Sequence, residues 1–157
     1  MIDLTSTPII ILVILGSVGV ALPVISIALK ERPSMISYGI ATLIALFASI
    51  GYVLYQIALE HVAPAAIFSQ DVLVDDAFGS LFAIAMLIVA IFTTIGSFSY
   101  MKNKANPSVY FSLILLSTIG MVLVAYSTDL VMLFVAWELM SIPTYILVGF
   151  LKKDPIS

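Results

Sequence analysis

Residues 130–151 read LVMLFVAWELMSIPTYILVGFL, an apolar run interrupted by one charge, Glu138. About 20 apolar residues in a helix cross the ~30 Å hydrocarbon core of a bilayer, so the run is long enough to do so. Glu138 would then lie about 12 Å inside the membrane, at 1.5 Å per residue. The stretch predicts a transmembrane helix with a carboxyl group near the bilayer centre.

Four further stretches of the chain are also apolar runs long enough to cross a membrane. The chain of 157 residues is 62% hydrophobic and only 10% charged, with a mean hydropathy of +1.23. Soluble domains have about 25% charged residues, so a water-soluble fold is excluded. The runs lack the alternation of a membrane β-barrel, and lipid cannot satisfy open strand edges. We therefore predict an all-α, multi-pass membrane protein with five transmembrane helices. The predicted spans are 8–29, 35–59, 77–99, 109–126 and 130–151.

The charges predict an orientation. All six basic residues follow the first, third or fifth span, which a five-span chain places on one side: Lys30, Arg32, Lys102, Lys104, Lys152 and Lys153. Six acids fall on the opposite side: Asp3, Glu60, Asp71, Asp75, Asp76 and Asp129. Lys and Arg are retained in the cytoplasm, which predicts an outer N-terminus and a cytoplasmic C-terminus in the cell membrane.

Loop length and capping residues predict how the spans are connected. The longest is an outer loop over residues 60–76, where residues 72–74 (Val-Leu-Val) are expected to form a short strand. Asp75 and Asp76 precede the third span as a helix cap and as acids that favour its dipole. Asp129 is placed to cap the fifth span.

Composition excludes several chemistries. The chain has no cysteine and one histidine, His61, which is expected to be solvated in the outer loop. Thiolate zinc sites, iron–sulfur clusters and bis-histidine haem are therefore excluded within this chain, and we expect no bound cofactor or metal. No basic run could neutralise phosphates, so no nucleic-acid partner is expected. Two glycines of residues 16–19 (Gly-Ser-Val-Gly) predict a close helix approach.

Glu138 is the candidate functional residue. A charge at this depth costs at least ~2.5–3.5 kcal/mol, so the carboxyl must be neutral, paired or facing water. Every basic residue of the chain lies near a span end, so a cationic partner would have to come from elsewhere. Either a protonated or an externally paired carboxyl suits a proton relay. The alternative is that Glu138 only hydrogen-bonds a neighbouring helix and fixes its packing.

The residues after Glu138 extend this candidate site. Ser141 and Tyr145 continue a polar stripe at helical spacing and would support the acid. Pro143 breaks the helical hydrogen bonding one turn beyond it. Two hydroxyl groups of the fourth span are expected to face the stripe: Ser117 and Thr118.

Three segments carry a resemblance to a known family: residues 116–121 (LSTIGM), 127–130 (STDL) and 137–149 (WELMSIPTYILVG). Residues 76–78 (DAF) add a weaker match. The last third of the chain, residues 110–157, resembles the antiporter-like subunits of complex I. It is most similar to subunit N of bacterial NADH-quinone oxidoreductase and of the archaeal deazaflavin-linked dehydrogenase.

The resemblance implies proton translocation coupled to quinone reduction, with the quinone and redox centres in partner subunits. In the family, the glutamate matching Glu138 pairs with a lysine on a later broken helix. The family's repeat of five helices would begin at the fourth span. That divides the chain into a three-helix membrane region, 1–108, and the first two helices of a truncated repeat, 109–157. The expected partners are other membrane subunits, the lipid bilayer and the remaining C-terminal part of the same subunit.

Two alternatives stay open from the sequence. Multisubunit sodium/proton antiporters and membrane-bound hydrogenases share the motif around Glu138, so the chain could serve in one of them. It could also be a structural membrane adaptor with no transport role. Neighbouring genes would distinguish the first alternative, and a Glu138→Gln variant with unchanged pumping would favour the second.

Overall fold

Five long helices make up the computed structural model, which describes residues 6–28, 34–59, 72–102 and 106–150. The helices are α1 Thr7–Ala28, α2 Met35–Ala58, α3 Ala77–Tyr100, α4 Pro107–Tyr126 and α5 Leu130–Gly149. All five are long and apolar enough to cross a membrane. The five predicted spans are thereby confirmed as helices. His61 and most of the outer loop and basic residues lie outside the described ranges.

Acidic side chains cap three of the helices. Asp76 Oδ1 accepts a hydrogen bond from the Gly79 backbone N–H at 2.7 Å, at the start of α3. Asp129 Oδ2 accepts from two backbone N–H groups in the first turn of α5. Both caps agree with the sequence prediction.

Asp75 differs from its predicted role at α3. Its Oδ2 accepts from the backbone N–H of Thr7 at 3.0 Å and from the Thr7 hydroxyl. Thr7 is the first residue of α1. The carboxylate therefore stabilises the start of α1, whose first N–H groups lack helical partners and favour negative charge.

The strand expected over residues 72–74 does not form among the described residues. Leu73 instead makes one antiparallel bridge with Ser127, flanked by a 3.0 Å hydrogen bond from Val74 N to Tyr126 O. A further backbone bond, from Thr128 N to Val72 O, completes the contact. The segment before α3 is therefore hydrogen-bonded to the turn between α4 and α5, where it makes a single bridge instead of the expected strand.

These contacts place the starts of α1 and α3 and the end of α4 together. We call this the Asp75 end of the bundle, and the opposite end, where α3 finishes and α4 begins, the Lys102 end. The grouping agrees with the predicted five-span threading. The assignment of the Lys102 end to the cytoplasm rests on the distribution of basic residues and stays a prediction.

Helix α4 is the centre of the bundle. It packs against each of the other four described helices and buries most of its residues, including Phe111, Leu115 and Thr118. Among the described helices, α5 packs only against α4. Its fully buried residues are Ala136 and Pro143. Most of α5 therefore presents its side chains outward.

Glycine sets the closest helix approach at α4–α5, a position that the sequence reading missed. A Cβ added to Gly120 would lie 2.7 Å from Met140 Cα and 2.9 Å from the Ala136 carbonyl oxygen. The predicted approach at residues 16–19 is looser, since a Cβ on Gly19 would lie 3.5 Å from Leu115 Cβ. A separation of 3.5 Å is an ordinary van der Waals contact, so this glycine is not required for the approach of α1 to α4.

Helix α1 contains Pro23, whose missing N–H leaves the Gly19 carbonyl without its helical donor. The Ser112 hydroxyl of α4 donates a hydrogen bond to that carbonyl. An unpaired carbonyl is costly in hydrocarbon, so this bond both satisfies α1 and joins it to α4.

Candidate functional site

Glu138 lies in the middle of α5 with its side chain exposed. No hydrogen bond or ion pair reaches it from the residues that the structure describes. Glu138 is the eighth residue after Leu130, the first residue of α5, which places it about 12 Å along the helix axis from that start. The carboxyl group is therefore at membrane depth and has no partner in the described part of the chain.

The rotation of α5 determines where Glu138 points. Successive residues turn by about 100°, so the α4-facing residues Ala136, Met140 and Pro143 fall on one side. Glu138 and Tyr145 fall on the opposite side, and the Tyr145 side chain is 74% exposed. The outward face of α5, which we define by Glu138, Ser141 and Tyr145, is therefore not covered by the described helices.

The two predicted supporting residues, Ser141 and Tyr145, and the predicted helix break, Pro143, have different surroundings. The Ser141 hydroxyl donates to the Trp137 carbonyl at 2.8 Å, a bond within its own helix. Tyr145 is exposed on the outward face. Pro143 is buried towards α4, and α5 continues through it to Gly149, so the proline loosens the helix without ending it.

Ser117 and Thr118 do not face the outward stripe, contrary to the sequence expectation. Ser117 Oγ lies 3.1 Å from Thr144 Oγ1, on the side of α5 that packs against α4. Thr118 is buried and donates to the Ile114 carbonyl. The helix rotation turns Thr144 towards α4 and leaves Glu138 on the other side.

Thr144 is thus a polar residue of the α4–α5 contact that sequence reasoning missed. Its hydroxyl also donates to the Met140 carbonyl at 2.8 Å. The signal was present in the sequence, because Ala136, Met140 and Thr144 recur every four residues and so lie along one side of the helix. Ala136 and Met140 approach Gly120, and Thr144 contacts Ser117 one turn further on.

The chemistry open to this site is that of a single carboxyl group. Among the described residues, no group of three or more His, Cys, Asp or Glu side chains could hold a metal ion. A carboxyl at this depth is stable when protonated, or when a cation or water comes to its outward face. Proton uptake and release is the reaction that one such group can perform.

Fold and site together define a multi-pass helical membrane protein, with a carboxyl group in the middle of a long apolar helix, on a face that the other described helices leave uncovered. No family model matches the chain. The chain is 32% identical to NADH-quinone oxidoreductase subunit N 1 of Solibacter usitatus over 143 residues, 90% of this chain and 28% of that protein. It is 33% identical to NADH-quinone oxidoreductase subunit N of Desulfitobacterium hafniense over 115 residues, 73% and 23% of the two chains.

An archaeal protein is similar as well. F(420)H(2) dehydrogenase subunit N of Methanosarcina mazei is 37% identical over 91 residues, 58% of this chain and 18% of that protein. The chain is therefore a relative of the subunit N proteins of these oxidoreductases, which confirms the family resemblance predicted from the sequence. It spans less than a third of the length of the curated relatives it matches.

Proposed function

We propose that the chain is a membrane subunit of a proton-translocating, complex I-like quinone oxidoreductase. Its similarity to subunit N proteins of NADH-quinone and F(420)H(2) dehydrogenases supports this. In this proposal, electron transfer and quinone reduction take place in partner subunits. The observation that carries the proposal is Glu138, a membrane-depth carboxyl with no partner among the described residues.

Glu138 acts by gaining and losing one proton. A cation near the outward face of α5 stabilises the carboxylate, so the proton leaves. When the cation moves away, the ionised group is destabilised by its apolar surroundings and takes up a proton. The family resemblance implies that this cation is a lysine on a later helix. Electron transfer in the partner subunits would supply the energy for its movement.

Two variants of the assembled complex test this role. Glu138→Gln keeps the size and hydrogen-bonding capacity of the side chain but cannot ionise, so proton translocation should fall by about tenfold or more. Glu138→Asp keeps the titratable group and should retain part of the activity. Quinone reduction and proton uptake are measured separately in the same membrane vesicles.

Ser17→Ala is the matched control, because the Ser17 hydroxyl donates to a carbonyl of its own helix and the change removes a polar group from α1, away from the candidate site. It should leave translocation close to the parent value. Normal translocation by Glu138→Gln in a fully assembled complex would instead support the structural-adaptor role.

A further inference from the structure

A groove separates α3 from α5 at the Lys102 end of the bundle. Both helices pack on α4, but among the described helices they do not pack on each other. The space between them measures about 390 Å³ and is lined by residues of α3, α4 and α5. Along α3 it reaches from Tyr100, the last residue of the helix, to Thr93, about 10 Å further in. A molecule in this space, which we call the α3–α5 groove, would contact three helices at once.

The α4 and α5 sides of the α3–α5 groove are largely apolar. Ile114 of α4 and the α5 residues Leu147 and Val148 line it. Val148 is 82% exposed, so the described helices do not cover its side chain. On the α3 side Gly96 leaves room, since a Cβ there would meet no atom within 4 Å. This shape and lining suit a hydrocarbon chain, which packs by van der Waals contact.

The hydroxyl groups inside the groove are already engaged within the protein. Ser97 Oγ lies 3.2 Å from the Tyr110 hydroxyl, and Thr144 Oγ1 lies 3.1 Å from Ser117 Oγ. The Thr93 hydroxyl donates to a backbone carbonyl of its own helix at 2.9 Å. A hydrocarbon chain beside these groups therefore leaves none of them without a hydrogen-bond partner.

Two tyrosines lie at the mouth of the groove, at the Lys102 end. The ring centroids of Tyr100 and Tyr110 are 6.1 Å apart, and the Tyr100 side chain is 52% exposed. Tyrosine is enriched at the level of the lipid headgroups, because its ring is apolar and its hydroxyl is polar. The mouth of the groove therefore lies at headgroup depth, and the rest of the groove lies in the hydrocarbon region.

Positive charge is concentrated at the same end. Lys102 follows Tyr100 by two positions and is exposed, with no ion pair or hydrogen bond to the described residues. In the predicted threading all six basic residues fall at this end, against two acids, Glu31 and Asp154. A lysine near the membrane surface favours a negatively charged headgroup by about fivefold. The charge at the groove mouth therefore favours an anionic phospholipid over a zwitterionic one.

We propose that the α3–α5 groove binds one anionic phospholipid, with an acyl chain between the two helices and its headgroup beside Tyr100 and Lys102. The Lys102 ammonium group offers positive charge and hydrogen-bond donors to the headgroup phosphate, and the Tyr100 hydroxyl offers a further donor. The acyl chain packs on Ile114, Leu147 and Val148. Because the chain is held between helices, this lipid should exchange more slowly than the lipid around the bundle.

A second groove in the same bundle provides a control. It lies between α1 and α4, measures about 220 Å³ and is lined by residues such as Gly16, Val20 and Leu116. None of its lining residues is aromatic or charged. This second groove can hold hydrocarbon, but its lining offers nothing that selects a headgroup.

The lipid site does not rest on the proposed function of Glu138. That residue is not among those that line the α3–α5 groove. Lipid binding is measured in the resting complex, without quinone reduction or proton translocation. The lipid site and the proton-carrying role of Glu138 can therefore be tested, and can fail, separately.

Photoreactive lipids test the site in the assembled complex. The complex is reconstituted in vesicles that contain either phosphatidylglycerol or phosphatidylcholine with the same diazirine-bearing acyl chain, and the adducts are located by mass spectrometry. We expect phosphatidylglycerol to label Val148 and its neighbours at least about fivefold more than phosphatidylcholine does. Phe92 of α3 is the internal reference, because it is 70% exposed but does not line the groove. Both lipids should label it equally.

Two variants separate the contribution of the acyl chain from that of the headgroup. Gly96→Leu fills the α3–α5 groove and should lower the labelling of Val148 by both lipids severalfold. Gly16→Leu is its matched control, because it fills the second groove, where an added Cβ meets Ile119 Cδ1 at 3.8 Å. Lys102→Gln leaves the groove open and should reduce the preference for phosphatidylglycerol by about fivefold.

Two results would overturn the proposal. If neither lipid labels Val148 in the unmodified protein, a further helix covers the groove and no lipid enters it. If both lipids label Val148 equally, the groove holds only the surrounding lipid and selects no headgroup. The comparison of the two lipids uses the unmodified protein, so it does not depend on the folding of a variant.

Discussion

The acidic side chains at the helix starts differ from Glu138 in what they contact. Asp75, Asp76 and Asp129 each accept hydrogen bonds from backbone N–H groups at the start of a helix. Such groups have no helical partner, so a carboxylate there stabilises the fold. Glu138 has no such bond among the described residues. The free-energy cost of placing the Glu138 carboxyl group in the membrane is therefore not offset by a hydrogen bond within the described bundle.

Asp75→Ala should destabilise the bundle by about 1 kcal/mol, because the start of α1 loses its capping acceptor. Asp75→Asn keeps one acceptor oxygen, so it should lower the stability of the bundle by less than Asp75→Ala does. The thermal midpoint of the purified protein in detergent measures both. Equal midpoints for the parent and Asp75→Ala would show that this contact does not stabilise α1.

Gly120→Ala should weaken the α4–α5 contact by about 1–3 kcal/mol, because the added methyl meets the backbone of α5. Gly51→Ala is the matched control, since its methyl enters open space in a helix and should be neutral or slightly stabilising. Thermal unfolding in detergent is again the measurement. A Gly120→Ala midpoint equal to that of Gly51→Ala would contradict the close packing at Gly120.

At the level of elements, the sequence predicts where helices lie better than how they are rotated. The length of each apolar run predicts the five helices, and Asp76 and Asp129 predict two of their starts. The run in α5 is apolar on nearly every side, so its pattern does not reveal which face meets α4. Small residues decide this contact, and the Gly120 approach turns Glu138 away from Ser117.

The contact of Asp75 with the start of α1 could not be predicted from the residues next to it in the sequence. Its partner Thr7 is 68 positions away in sequence, and helix-capping rules consider only neighbours. The same holds for the Leu73–Ser127 bridge, which replaces the expected strand. Both contacts depend on how the five helices are arranged, which the spans alone do not specify.

The bond between α1 and α4 gives a prediction about a pair of residues. Ser112→Ala should cost about 1 kcal/mol in the parent, because the Gly19 carbonyl loses its donor. Pro23→Ala restores the backbone N–H that can bond this carbonyl, so Ser112→Ala should cost less in that background. A double-mutant cycle on thermal stability measures the difference. Strictly additive effects would show that Pro23 and Ser112 are not coupled through Gly19.

At the scale of the whole molecule, α4 organises the bundle and α5 is its least covered helix. About 61% of the residues in the most apolar 18-residue stretch of α4 are buried, against 11% in the corresponding stretch of α5. The curated relatives are more than three times as long as the segment that matches this chain. In the proposed complex, further helices would cover the outward face of α5 and bring a cation to Glu138.

Infrared difference spectroscopy on the assembled complex, recorded between its resting and quinone-reducing states, tests the central claim most directly. A carboxyl that gains or loses a proton changes its C=O stretching band. We predict a carboxyl band in the parent spectrum that is absent from Glu138→Gln and shifted in Glu138→Asp. A parent spectrum that is unchanged in Glu138→Gln would show that Glu138 keeps its protonation state throughout turnover, which would contradict its role as a proton carrier.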